Sequence, residues 1–237
     1  MKKAIVVGGS TGIGYGVSQV LLENNYKVVV TGVEKEIVEN LNDSNKENFS
    51  AIYLDCINES SSKTLQNLVD EIGSLDLLVF SAGIGNLNKD LGYTVENKAN
   101  QLNVLAFTEV MDWSCRFFIK QGFGHLVGVT SISALFGSRV APAYHAAKAY
   151  QINYLEGLRQ KAKRSKLPVY VTDARPGFVI TPMTEGKKMF WMATKEKAAK
   201  QIFRLIKNKR SVGYITKRWR ILVVLMHLQP RFVRDRL

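Results

Sequence analysis

The stretch Ala4-Ile5-Val6-Val7-Gly8-Gly9-Ser10-Thr11-Gly12-Ile13-Gly14 decides how the rest of the chain is read. A short apolar run suited to a buried strand leads into a glycine-rich turn, and the residues after the turn have the period of a helix. Glycines there allow a tight turn and a close backbone approach to a pyrophosphate, while the helix N-terminus offers free N–H donors and positive potential. Gly8, Ser10, Thr11, Gly12, Ile13 and Gly14 are therefore candidate phosphate-binding residues. The spacing Gly-x-x-x-Gly-x-Gly differs from the common Gly-x-Gly-x-x-Gly fingerprint and from the lysine-containing loop that cradles nucleoside triphosphates. Alone, it is also what an ordinary glycine turn looks like.

Outward from the loop the pattern repeats. Short apolar, β-branched runs near residues 4–7, 27–31, 49–54, 75–81, 124–131, 169–175 and 211–215 alternate with helical-period segments at 12–24, 60–73, 94–121, 142–165 and 194–208. This alternation predicts an α/β, doubly wound Rossmann-type fold, a seven-stranded parallel sheet with helices on both faces in a single domain. Residues 1–215 read as one domain, and residues 216–237 as a basic, apolar C-terminal extension. Right-handed crossovers fix where the helices pack, so ligands are expected at the carboxyl ends of the strands.

Composition narrows the class. With 237 residues, 46% hydrophobic and 22% charged, the chain can bury one full core and is neither disordered, collagen-like nor disulfide-dense. Cys56 and Cys115 are too far apart for a metal clip and too few for a secreted framework, which favours a reducing compartment. His125, His145 and His227 lack metal-ligand spacing, so no metal is expected. Residues 1–7 imitate the start of a signal peptide, but glycines interrupt the apolar run after four residues. The longest uninterrupted apolar stretch, 221–226, is far short of the ~20 residues that cross a bilayer. A cytoplasmic location is expected, with membrane association open only through the tail. The net charge of +13 resides there: residues 195–237 hold 13 basic and 2 acidic side chains, and the rest is nearly neutral.

Tyr144-His145-Ala146-Ala147-Lys148 sets a phenol and an ammonium one turn apart on a helix face. Roughly one such pair arises by chance in a chain of this composition, so its neighbours decide its meaning. Ser131 ends the fifth expected strand 13 residues earlier, and Asn103 lies in the preceding long helix. Arg175-Pro176-Gly177-Phe178-Val179-Ile180-Thr181 follows the sixth strand.

Over about residues 3–182, these motifs together resemble the short-chain dehydrogenase/reductase family. The resemblance implies that Asn103, Ser131, Tyr144 and Lys148 form a catalytic set and that the sheet order is 3-2-1-4-5-6-7. It implies a dinucleotide held by the glycine loop, with Asp55 at the adenine and Ser81, Ala82 and Gly83 along its course. Pro176, Gly177, Val179 and Thr181 would meet the nicotinamide carboxamide, and Tyr144 and Lys148 the nicotinamide end. Pairing through the two long helices, 94–121 and 142–165, would give a homodimer or homotetramer. Two departures stand out: Val7 replaces the usual Thr before the loop, and Phe80-Ser81 replaces Asn-Asn before Ala82-Gly83.

The residue types suit the implied chemistry, an NAD(P)-dependent oxidoreductase acting on a secondary alcohol or carbonyl compound. Hydride addition to a ketone leaves an alkoxide that needs a proton, and a phenol of ordinary pKa ≈ 10 ionises reluctantly at neutral pH. Lowering that pKa by about three takes ~4 kcal/mol, which a nearby ammonium and an oxidised nicotinamide together can supply. Tyr144 is then general acid in reduction and general base in oxidation, and Lys148 lowers its pKa. Ser131 steadies the reacting oxygen, and Asn103 positions a water that connects Lys148 to solvent. A non-catalytic dinucleotide-binding regulatory protein on the same scaffold is the alternative; a binding module has no need of a proton donor.

After the second strand stand Gly32, Val33, Glu34 and Lys35. An acid at the strand end would bind a ribose diol and repel a phosphate; its absence favours NADP slightly over NAD, although Glu34 could reach a diol and Lys35 a phosphate. Met183, Met189, Phe190, Trp191 and Met192 fall where a substrate-covering loop is expected and suit a lipophilic substrate, or else pack on the core. The tail, apolar all round at 221–228 and flanked by Lys217, Arg218, Arg220, Arg231, Arg234 and Arg236, must be buried against something. Docking on the domain or a second subunit is the first reading and peripheral contact with an anionic membrane the second. Nucleic acid is not expected, because stacking aromatics do not interleave with the basic residues.

Overall fold

The computed structural model describes the whole chain except residues 45, 187, 188, 228 and 231–237, so Arg231, Arg234, Arg236 and Leu228 of the tail lie outside the described residues. Seven strands form one parallel sheet: β1 Lys2–Val7, β2 Tyr26–Gly32, β3 Phe49–Tyr53, β4 Leu77–Phe80, β5 Gly124–Val129, β6 Val169–Pro176 and β7 Val212–Ile215. Their order is β3-β2-β1-β4-β5-β6-β7, as the resemblance implied. Among the described residues there are eight α-helices: α1 Gly12–Leu22, α2 Lys35–Asp43, α3 Ser61–Ile72, α4 Tyr93–Asn100, α5 Phe107–Gln121, α6 Pro142–Arg164, α7 Lys195–Lys207 and α8 Trp219–His227.

The central strands are apolar on both faces because helices cover both. Alternate residues feed different cores. Ile5, Val7, Leu78, Phe80 and Leu126 pack with Leu65 of α3, Phe107 and Phe118 of α5 and Leu155 of α6. Ala4, Val6, Leu77, Val79 and Val127 pack on the other side with Val17 and Leu21 of α1 and Ile202 and Ile206 of α7. Phe80 is fully buried and meets Phe107 edge-on at 5.2 Å. Its departure from the family's asparagine thus enlarges the core.

Three expectations are corrected. The helix expected over 94–121 is α4 and α5 joined by a π-helical segment, Gln101–Ala106. The fourth strand is shorter than 75–81. Ser131 does not end a strand: β5 stops at Val129, and Ser131 caps a short 3₁₀ turn, Ile132–Leu135, by accepting the Ser133 N–H at 3.0 Å. The tail follows its first reading in part. On α8, Trp219 and Val223 are buried against Ile132, Leu135 and Phe178, whereas Ile221, Val224 and Leu225 face outward. No described helix is long and apolar enough to cross a membrane.

Because Phe80 fills space between β4 and α5, Phe80→Asn should lower the unfolding free energy by about 4 kcal/mol, combining lost packing with a buried amide. Urea denaturation monitored by circular dichroism measures it, and a loss under about 1 kcal/mol would contradict this packing.

Candidate active site

The carboxyl ends of β1 to β6 open into one cavity of about 1010 Å³. Its floor is the glycine loop. Gly8 has φ +72°, and a Cβ there would press on the Ala82 backbone at 2.5 Å. Thr11, the N-cap of α1, makes no side-chain capping bond, and the first turn carries no acid. The N–H groups of that turn therefore keep their affinity for an anion. Gly8, Ser10, Thr11, Gly12 and Ile13 line the cavity. Gly14 does not; its missing Cβ lets α1 sit on the Gly8 carbonyl oxygen, so it shapes the loop without facing a ligand.

Asp55 lines one end. Its carboxylate accepts from the Ile57 N–H at 2.9 Å and from Asn58 Nδ2 at 2.8 Å, and these bonds hold its pKa below the usual range. Ser81, Ala82 and Gly83 line the centre, with the Ser81 and Ala82 N–H groups donating to the Val7 carbonyl at 2.8 and 3.1 Å. Pro176, Gly177, Val179 and Thr181 form the facing wall. Gly177 lies directly against the Trp219 indole of α8.

Ser131, Tyr144 and Lys148 share the wall between these segments. The Lys148 ammonium is 5.8 Å from the centre of the Tyr144 ring. Burial pushes the Tyr144 phenol above its ordinary value, and hydrogen bonding with the Ser131 side chain offsets part of that rise. In the chain by itself the phenol is thus a proton donor, and Lys148 alone does not achieve the lowering expected from lysine and oxidised nicotinamide together. Lys148 is 4% exposed. Burial takes its pKa down to about 8, against an opposing pull from Asp173. Asp173 on β6 is itself buried, bonded to Arg175 Nε at 2.6 Å and to Thr130.

Asn103 does not line the cavity. It is wholly buried in the π-helical segment, where its side chain accepts from the Ile84 N–H at 3.1 Å and donates to the Ile84 carbonyl at 2.7 Å. Gln151 spans the space between Asn103 and Lys148: the ammonium donates to Gln151 Oε1 at 3.0 Å, and Gln151 Nε2 donates to the Asn103 backbone oxygen at 2.8 Å. Sequence reasoning missed Gln151 and Asp173. Gln151 was findable, since a polar residue three positions after Lys148 shares its helix face.

The remaining candidates divide. Glu34 lines the cavity, whereas Lys35 stands over the Tyr53 ring at 5.2 Å and does not. A Cβ at Gly32 would meet the Ser10 side chain, so a larger residue at the end of β2 would require Ser10 to shift. Met183 and Met189 line the cavity, while Phe190 and Trp191 pack on Trp219 at 5.2 and 5.6 Å. Among the described residues no three His, Cys, Asp or Glu side chains could together hold a metal ion.

A parallel seven-stranded sheet with a phosphate-type loop after β1, and a serine, tyrosine and lysine at the mouth of the same cavity, defines a dinucleotide-dependent oxidoreductase class. Residues 2–190 match the family model described as short chain dehydrogenase, and the chain belongs to that family. It is 30% identical over 192 residues to the 3-oxoacyl-(acyl-carrier-protein) reductase FabG of Chlamydia muridarum, covering 78% of this chain and 77% of the relative. It is likewise 30% identical over 186 residues to an uncharacterized oxidoreductase of Staphylococcus haemolyticus, covering 77% and 80%. Among solved structures, a short-chain dehydrogenase from Sphingobium yanoikuyae in complex with NADPH superposes with a TM-score of 0.80 at 16% identity, covering 98% of this chain and 97% of that one. ElxO with NADP bound gives 0.78 at 24% identity, covering 90% and 96%.

The depressed Lys148 pKa has a measurable consequence. Between about 8, folded, and 10.5, unfolded, the unfolded chain binds the additional proton, so this residue makes stability rise with pH across that window. The unfolding free energy of the wild type relative to Lys148→Met should increase by about 3 kcal/mol between about pH 7.5 and 11. Urea titrations at stepped pH give the difference; a flat one would contradict a buried ammonium.

Proposed function

We propose that the protein is an NADP(H)-dependent oxidoreductase that interconverts a lipophilic secondary alcohol and its carbonyl compound. The observation that carries this reading is the convergence of Ser131, Tyr144 and Lys148 on the cavity whose floor is the uncapped start of α1. The cradle fits a dinucleotide: Gly8 leaves no Cβ in the turn, and the first-turn N–H groups suit a pyrophosphate. Asp55 would take the adenine end. Ser81, Ala82 and Gly83 would follow the ribose, and Pro176, Gly177, Val179 and Thr181 the carboxamide, with Lys148 on the ribose hydroxyls. NADP is favoured because Gly32 places no diol-binding acid at the end of β2, and because solved structures of this fold hold NADP or NADPH.

When bound, the nicotinamide donates or accepts the hydride. Tyr144 then gives its phenolic proton to the oxygen of a carbonyl substrate, or takes one from an alcohol. Ser131 hydrogen-bonds the same oxygen as charge develops, and the Lys148 cation stabilises the phenolate left behind. Leu87, Val140, Met183 and Met189 supply an apolar wall for the substrate. Tyr144→Phe should leave NADPH binding within about twofold while reducing turnover of a ketone panel at least ~10³-fold, in line with loss of general acid catalysis. Fluorescence titration with NADPH and NADH, then initial rates, tests both; undiminished turnover would reject the assignment.

Two outward surfaces suit partners. Leu105 and Tyr150 on the π segment and α6 are exposed and fit pairing into a homodimer or homotetramer, which light scattering measures. The outward row Ile221, Val224 and Leu225 on α8, flanked by Lys217, Arg218 and Arg220, suits an anionic membrane surface. Sedimentation with phosphatidylglycerol vesicles should be lost in an Ile221→Asp, Leu225→Asp variant, and equal sedimentation would discard the contact.

A further inference from the structure

Lys148 has a support that its tyrosine does not provide. Its Nζ donates to the Val129 carbonyl at 3.3 Å and to Gln151 Oε1 at 3.0 Å. Gln151 is wholly buried, so its amide has no recourse to solvent. Only one orientation of that amide serves both neighbours, because an ammonium can only donate and the Asn103 carbonyl can only accept.

The backbone is shaped to receive it. In an uninterrupted α-helix the N–H of Phe107 would take the Asn103 carbonyl. Here that N–H goes to the carbonyls of Leu102 and Val104, because residues 101–106 are π-helical. The Asn103 carbonyl is released from that bond and accepts Gln151 Nε2 at 2.8 Å. The Asn103 side chain in turn clamps the Ile84 backbone at both its N–H and its carbonyl. A continuous line of hydrogen bonds thus runs from the loop after β4, through the π-helical segment, to the ammonium on α6. π-Helical turns recur at functional sites for this kind of local re-aiming.

We propose that Gln151 is a positioning residue of the reaction: its carboxamide, anchored on the Asn103 carbonyl, holds the Lys148 ammonium charged and aimed at the Tyr144 side of the cleft. This deepens the oxidoreductase reading and rests on it for its catalytic consequence, while the hold on Lys148 is measurable without turnover. Among the described residues, the titratable groups set against Lys148 are Tyr144 and Asp173. Tyr144 lies one turn earlier on α6, and Asp173 faces it from β6 with Arg175 and Arg159 acting on that carboxylate. From the π-helical segment the contact is neutral.

The test compares full-length wild type with Gln151→Leu, which removes both polar ends at similar volume, and Gln151→Glu, which keeps an acceptor but adds charge. The side-chain carbon-13 resonance of Lys148, assigned by its loss in Lys148→Met, is followed against pH. Removing the neutral acceptor disfavours the cation, so the titration midpoint should fall by at least one pH unit in Gln151→Leu; a carboxylate should raise it by a similar amount in Gln151→Glu. In the same proteins kcat for ketone reduction should fall at least tenfold in Gln151→Leu, with the KM for the ketone changing less than threefold. An unmoved Lys148 midpoint in either folded variant overturns the proposal. Should Gln151→Leu fail to fold, the isosteric Gln151→Glu decides alone. The expected midpoint shifts in the variants, together with a wild type that turns over no carbonyl substrate, would instead count against the oxidoreductase reading and leave the Gln151 contact standing.

Discussion

An ammonium kept out of water is the constraint around which this molecule is arranged. Lys148 sits in a site where its charge is penalised strongly enough to bring its pKa to about 8. A buried cation without partners would give up its proton or unfold the protein. The fold answers with two neutral acceptors, the Val129 carbonyl and Gln151, and with the field of Asp173. Asp173 is itself buried and costly, and it is compensated in turn by Arg175 and Thr130. A hydrophobic residue at 148 would need none of this. The arrangement makes sense where a cation beside a phenol is worth more to the chemistry than it costs the fold.

The second constraint is closeness of backbone to backbone at the other end of the cavity. Gly8 runs against the Ala82 backbone, and α1 sits on the Gly8 carbonyl. Each contact leaves no room for a Cβ, and together they let the turn after β1 lie close to the end of β4 beneath the cavity. At the end of β2, Gly32 offers no acid where one would select a ribose diol. Glu34 lines the cavity just beyond it.

What was legible in the sequence follows from periodicity and from residues whose role is local. The seven strands could be read because parallel strands buried on both faces need continuous apolar runs, and the glycine loop because its turn is fixed by backbone geometry. Helix spacing put Tyr144 and Lys148 on one face, and only the resemblance carried by the neighbouring motifs gave that pair a meaning. The interruption between α4 and α5 was not, because a π-helical turn leaves the 3.6-residue pattern almost unchanged and shows itself only in which carbonyl is released. Gln151 and Asp173 escaped for a related reason. A glutamine on a helix and an aspartate in a strand normally point to water, and only the tertiary crossing of α6 over β5 and β6 buries them. The methionine and aromatic cluster at 183–192 has one composition but two fates, and no property of the sequence separates Met183 and Met189 from Phe190 and Trp191.

That division ties the C-terminal helix to the chemistry. Trp219 is 1% exposed and rests on Gly177, a residue of the wall that faces the proposed nicotinamide site. Phe178, Phe190 and Trp191 close around the same indole, and Arg218 donates to the Trp191 carbonyl at 2.7 Å while standing over its ring at 5.1 Å. A segment that composition marks as a basic appendage thus supplies the floor beneath the loop that would cover the substrate. Moving α8 would disturb the Gly177 wall and the Phe190–Trp191 turn together, since both pack on one ring. Its outward row, Ile221, Val224 and Leu225, is separated from that ring only by the thickness of the helix.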